Sequence, residues 1–155
     1  MNENIDNRLK ELGINLPTPA QSVANYVPFV VAGNLVHISG QIPILNGDLK
    51  YVGKIGAKLT LNDGYSAARL CGLNLIAQAR AAAGGDLDQI SQVVKIGGFV
   101  NSNPEFIDQP KIINGASDLM VEVFGDKGQH ARFAVSSSSL PLGVAVEIDG
   151  IFELK

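Results

Sequence analysis

Apolar residues change period several times along the chain, and each change marks an element. Ile5, Leu9 and Leu12 recur at helical spacing, which predicts a helix over Asn2 to Leu12 with Gly13 as its stop. A loop with Pro17 and Pro19 follows. Tyr26 to Ala32 then reads as a strand rich in Val and Phe, Gly33-Asn34 as a tight turn, and Leu35 to Ser39 as the returning strand of a hairpin. Gly40 and Pro43 end the pairing, and Asn46-Gly47-Asp48 marks another turn. The longest helix is predicted over Asn62 to Ala83, with Thr60 or Asn62 as cap, Asp63 in its first turn and Gly84-Gly85 at its end. Leu70, Leu73, Ile76 and Ala77 form its apolar stripe, while Ala67, Ala68, Gly72, Ala79 and Ala82 permit close approach to a sheet.

Ile90 to Asn101 is a predicted strand in which Gly97-Gly98 marks a bulge or a close backbone approach. A second long helix is predicted from Pro110 to Phe124, with Gly125 after it. Ala131 to Ser136 and Val144 to Leu154 close the chain as a hairpin around Leu140-Pro141-Leu142-Gly143. The order predicts one α+β domain over residues 1–155, with a mixed sheet and both long helices on one face. The run Ser136 to Ser139 sits where a strand should continue, and is expected at a sheet edge or a contact between subunits.

Composition sharpens this picture. Hydrophobic residues make up 46% of the 155 and charged residues only 17%. One small core hides that much apolar surface poorly, so a homo-oligomer is expected rather than a monomer. The formal net charge is −3, Trp is absent, and no basic run or Arg–aromatic stripe appears. Nucleic-acid binding therefore lacks its electrostatic footprint. The single cysteine, Cys71, excludes an intrachain disulfide and suits a reducing compartment. Residues Met1 to Glu11 lack the apolar run of a signal peptide, and no stretch is apolar enough to span a bilayer. The cytoplasm is the expected location.

The candidate chemistry is sparse. His37 alternates with apolar neighbours in a strand and His130 lies in a loop, so the convergent ligands of a metal site are missing. Cys71 falls within an apolar helix, where an unreactive core thiol is expected. No serine lies in a nucleophile elbow, and the glycine pairs fit no phosphate loop. Arg132 is more informative, because it opens the predicted strand Arg132-Phe133-Ala134-Val135 among small and apolar residues. A guanidinium there cannot lose its proton and needs a planar anionic partner. That partner is either the chain's own Glu147, Glu122 or Asp149, or a ligand. Glu147, between Val146 and Ile148, either faces solvent from an alternating strand or is held for acid–base work.

Three segments together resemble the RidA/YjgF family, also known as L-PSP endoribonuclease. They are Gly33-Asn34-Leu35-Val36-His37-Ile38-Ser39-Gly40-Gln41-Ile42-Pro43, Ala131-Arg132-Phe133-Ala134-Val135, and Leu140-Pro141 followed by Val146-Glu147-Ile148. The likeness runs from about Ser22 to the C-terminus, and the Ser-Gly-Gln-Ile-Pro core is its most specific part. Asn114-Gly115-Ala116-Ser117-Asp118-Leu119 and Ser139-Leu140-Pro141-Leu142-Gly143 further resemble a longer subgroup of uncharacterised bacterial members. The resemblance implies a chorismate-mutase-like α+β fold, a homotrimer, and pockets for small carboxylates or imines at the subunit clefts. It implies hydrolysis of amino-acid-derived enamines and imines to 2-keto acids and ammonia, with no metal or cofactor.

Position by position, the resemblance makes Arg132 the carboxylate-binding arginine and Glu147 the acid that positions the attacking water. Tyr26 becomes a pocket tyrosine and Gly40 a glycine whose backbone faces the ligand. The family's cysteine two residues after the arginine is Ala134 here, where only a backbone carbonyl can serve. Asn114 is the nearest counterpart of the family's pocket asparagine, across an insertion. The predicted helix within residues 1–13 is extra relative to short members. Two other functions fit the same resemblance: a carboxylate-binding trimer without turnover, and the ribonuclease of the older family label.

Overall fold

Close packing of two long helices fixes the architecture, and glycine makes that packing possible. The computed structural model describes residues 4–155. Helix α1 spans Ile5–Glu11, and strands β1 (Phe29–Ala32) and β2 (Leu35–Gln41) form the predicted hairpin. Short strands β3 (Ile44–Leu45) and β4 (Asp48–Leu49) flank the Asn46-Gly47 turn. Helix α2 (Leu61–Ala82), strand β5 (Ile90–Asn101), helix α3 (Gln109–Phe124), strand β6 (Ala131–Ser137) and strand β7 (Val146–Leu154) complete the order. Asn2 and Glu3, where the first helix was predicted to begin, lie outside the described residues; Asn4 caps α1 by accepting from the Asn7 N–H. Among the described residues no helix is long and apolar enough to cross a membrane.

The five-stranded sheet has the order β1-β2-β7-β5-β6, with β5 and β6 parallel and the other neighbours antiparallel. It is the expected mixed sheet with α2 and α3 on one face. The closing hairpin is corrected: β7 does not pair with β6 but inserts between β2 and β5. A turn through Leu142 and Gly143, both at positive φ, redirects the chain, and β7 then buries Val146, Ile148 and Phe152 in the sheet's centre. β6 is left as an edge strand, and it takes in Ser136 and Ser137 as expected of the serine run.

Gly97-Gly98 is a close approach and not a bulge, since pairing runs unbroken there. A side chain on Gly97 would overlap Phe133 and Asp149 on the open face, and one on Gly98 would overlap Ile113 of α3.

The small residues of α2 serve its sister helix as well as the sheet. Gly72 leaves room for Ala116 and Leu119 of α3, whereas Leu75 meets the sheet at Gly150. Leu73, predicted in the apolar stripe, is only partly buried, and Ala67, Cys71, Leu75 and Ala79 take its place. A reciprocal capping box between Thr60 and Asp63 fixes where α2 starts.

Gly115 of α3 sits so close to α2 that a Cβ would overlap the Tyr65 carbonyl oxygen. This contact is backbone to backbone and cannot relax by rotamer change. Gly115→Ala should therefore destabilise by about 1–3 kcal/mol or more, the usual cost of overpacking. A denaturant titration checks this; an unchanged midpoint would contradict the packing described.

Candidate active site

Arg132 opens the site, and its environment follows from register. It pairs with Ile96 of β5, a buried residue beneath the helices, so its side chain leaves β6 on the helix side of the sheet. There α3 presents one face to it. The guanidinium donates from Nη1 to Asn114 Oδ1 at 2.8 Å and to Ser117 Oγ at 3.0 Å, and from Nη2 to the Pro110 carbonyl at 3.3 Å. All three acceptors are neutral. Glu122, one of the internal partners open to Arg132 on sequence grounds, pairs with Arg69 instead at 3.0 Å. Among the described residues no carboxylate lies within ion-pair distance of Arg132. Its charge is oriented and only half-buried, which is what recognition of an external anion requires.

Two residues not singled out for this site complete the cluster. His130 Nε2 lies 2.9 Å from Ser117 Oγ, and its Nδ1 lies 2.6 Å from the Gly128 carbonyl. A faint signal was present in the sequence. Ser117 follows Asn114 by three positions on a helix, and His130 precedes Arg132 by two at a strand's start, so each pair shares a face. Ala134, two residues after Arg132, shares that face too and packs against the core.

Glu147 lies elsewhere. It pairs with Phe99, three residues from Ile96 in unbroken register, so it points to the open face of the sheet. Gly40 lies directly against it, and a Cβ there would overlap the Glu147 carboxylate. The loop carrying Tyr26 is tied to the same strand: Ser39 N–H donates to the Pro28 carbonyl and Ser39 Oγ to the Val27 carbonyl. Tyr26 itself is exposed.

The predicted residues thus separate: Arg132, Asn114 and Ala134 share the helix side of the sheet, Glu147 and Gly40 lie together on its open face, and Tyr26 stands exposed in the loop before β1. One protomer does not bring them together. A groove of about 480 Å³ beside α2, lined by Tyr51, Tyr65 and Arg69 among others, includes none of them.

The chain belongs to the YjgF (RidA) family. The family model described as "YjgF/chorismate_mutase-like, putative endoribonuclease" matches residues 6–152. Protein TCP17 of Trypanosoma cruzi is 47% identical over 147 residues, covering 94% of this chain and 91% of that one. The crystal structure of protein Atu1372, of unknown function, from Agrobacterium tumefaciens is also 47% identical, with a TM-score of 0.91 over 97% of this chain and 92% of that one. The YjgF gene product of E. coli is more distant, at 26% identity and a TM-score of 0.62 over 89% and 93% of the two chains. Membership confirms the chorismate-mutase-like α+β fold expected from the sequence.

Burial sets the electrostatics of Glu147 and Cys71. Desolvation raises the Glu147 carboxyl above its ordinary value, and the nearby Asp149 charge raises it further. Burial pushes the Cys71 thiol well up, so it is the inert core thiol expected. Among the described residues no cluster of three metal-ligating side chains occurs.

A raised folded-state value means that the native chain holds the Glu147 proton more tightly than the unfolded chain does. Below the unfolded value the two states are equally protonated and the charge costs nothing. As pH rises toward and through the folded value, the native state must carry a partly desolvated charge and loses stability. Glu147→Gln should therefore gain stability relative to wild type between acid and neutral pH, then hold a constant difference. Thermal unfolding across that range checks the sign; a difference that shrinks as pH rises would contradict it.

Proposed function

We propose that this chain is a cofactor-free deaminase that hydrolyses imines and enamines of small 2-amino acids to 2-keto acids and ammonia. The observation that carries the reading is Arg132, a permanent cation held by three neutral oxygens. A substrate carboxylate completes it, and a two-point Arg–carboxylate contact orients the neighbouring C=N carbon. That carbon is already electrophilic, so the protein's remaining task is to orient water and take its proton. Glu147 suits that task, since its raised value brings it nearer to the working pH of a general base. Family membership supports the reading, and Gly40 lies directly against the Glu147 carboxylate.

Because Arg132 and Glu147 face opposite sides of one sheet, the reaction requires an assembly in which Arg132 of one copy meets Glu147 of another. The uncovered sheet face supplies a surface for this. Phe99, Phe133, Val135 and Val30 stand exposed on it, and exposed apolar patches of that kind mark subunit contacts. A homotrimer, the family's expected state, would place three such sites between copies.

A second reading draws on the same geometry. The Arg132 half is complete in one protomer and the Glu147 half is not beside it, which favours a carboxylate-binding protein without turnover. The ribonuclease reading is the weakest, since the net charge is −3 and the sequence has no basic run.

The deaminase reading predicts faster keto-acid release from freshly generated 2-aminoacrylate, abolished by Arg132→Ala and reduced about 10²-fold or more by Glu147→Gln. Co-expressing the two inactive variants should restore about a quarter of the sites, because random assembly of a symmetric ring sets an intact arginine against an intact glutamate once in four. No rate enhancement by wild type would end the deaminase reading, and mixed chains without recovery would end the shared site.

A further inference from the structure

Beyond the imine reading and independent of it, we infer that Ser117 is a nucleophile activated by His130, accepting acyl groups from small esters and thioesters. The hydrogen-bond polarity of the cluster leads there. The Gly128 carbonyl can only accept, so the neutral His130 ring carries its hydrogen on Nδ1, 2.6 Å away. Nε2 is then a bare lone pair facing Ser117 Oγ at 2.9 Å, and the serine hydroxyl must donate to it. A nucleophile hydrogen-bonded to a base, with the base oriented by a third group, is the arrangement that activates serine. A backbone carbonyl here holds the place that a carboxylate holds in a triad.

Arg132 adds what a bare pair lacks. Its Nη1 donates to Ser117 Oγ at 3.0 Å, so a positive charge stabilises the negative character that Oγ gains as its proton passes to His130. The other well-placed hydroxyls have no such company. Ser39 and Ser137 donate to backbone carbonyls, Ser102 and Ser136 bond each other, and Ser91 bonds Glu153 with no cation at either oxygen. Ser117 and His130 are both half-buried at the sheet edge, within reach of a small acyl donor.

The chemistry balances without an outside reagent other than water. Ser117 Oγ attacks the acyl carbon while its proton passes to His130 Nε2. The bond to the leaving alcohol or thiol breaks, and that group takes the proton from His130. Water then attacks the seryl ester, His130 accepts its proton and returns it to Ser117 Oγ, and the carboxylic acid leaves.

p-Nitrophenyl acetate tests this on the full chain. Wild type should release a burst of nitrophenolate and gain one acetyl group on the tryptic peptide Ile112 to Lys127. Ser117 is the only hydroxyl in that peptide, which contains no Cys or His. Ser117→Ala, with its fold checked by circular dichroism, should lose both burst and label. His130→Asn should slow acetylation about 10²-fold or more, the low end of what a general base contributes. A burst that survives in Ser117→Ala, label confined to lysines, or equal rates in His130→Asn would each overturn the assignment. None of these outcomes depends on whether the chain hydrolyses imines.

Discussion

A guanidinium cannot shed its charge, so a fold that places one beside a packed helix must either neutralise it or leave it for something else. Here α3 offers Arg132 the side-chain oxygens of Asn114 and Ser117 and the Pro110 carbonyl, and no acid. Charged hydrogen bonds of this kind contribute roughly 1.5–3 kcal/mol each, enough to hold the side chain in one orientation without cancelling its field. The arrangement depends on how near α3 lies to the sheet and to α2. Gly98 admits Ile113, and Gly115 admits the α2 backbone. The same short stretch of α3 therefore supplies both the helix–helix contact and two of the acceptors for Arg132.

The second constraint is the alternation of strand side chains. Arg132 and Glu147 occupy strands that both border β5, yet their registers at Ile96 and Phe99 differ by an odd number of residues. That parity separates cation and acid onto opposite faces. It also explains why neither half forms a closed pocket within one protomer: the open face carries Glu147, Gly40 and exposed apolar side chains, while the edge strand carries Arg132. The chain's high apolar fraction and low charge are reflected in the apolar side chains exposed on the open face.

Much of this was legible beforehand, for identifiable reasons. The Thr60 cap and the terminal glycines bounded α2, and alternation in Leu35 to Gln41 gave a strand, because these are local effects. The path of β7 was not legible. Pairing partners are a tertiary choice, and Leu140-Pro141-Leu142-Gly143 reads like a hairpin turn although it sends the chain across to the sheet's centre. Arg132 could be named because a lone guanidinium among apolar residues is conspicuous, but its neutral partners could not. The pairing of Ser117 with His130 was not legible, since each looks ordinary alone and their meeting depends on how α3 lies against the start of β6.

The claim on which all of this rests is that Arg132 is an unneutralised cation open to an outside carboxylate. Calorimetric titration with 2-ketobutyrate tests it most directly. The account predicts one binding site per chain, weakened by added salt and absent in Arg132→Ala. Affinity that persists in that variant, or no binding by the wild type, would contradict it.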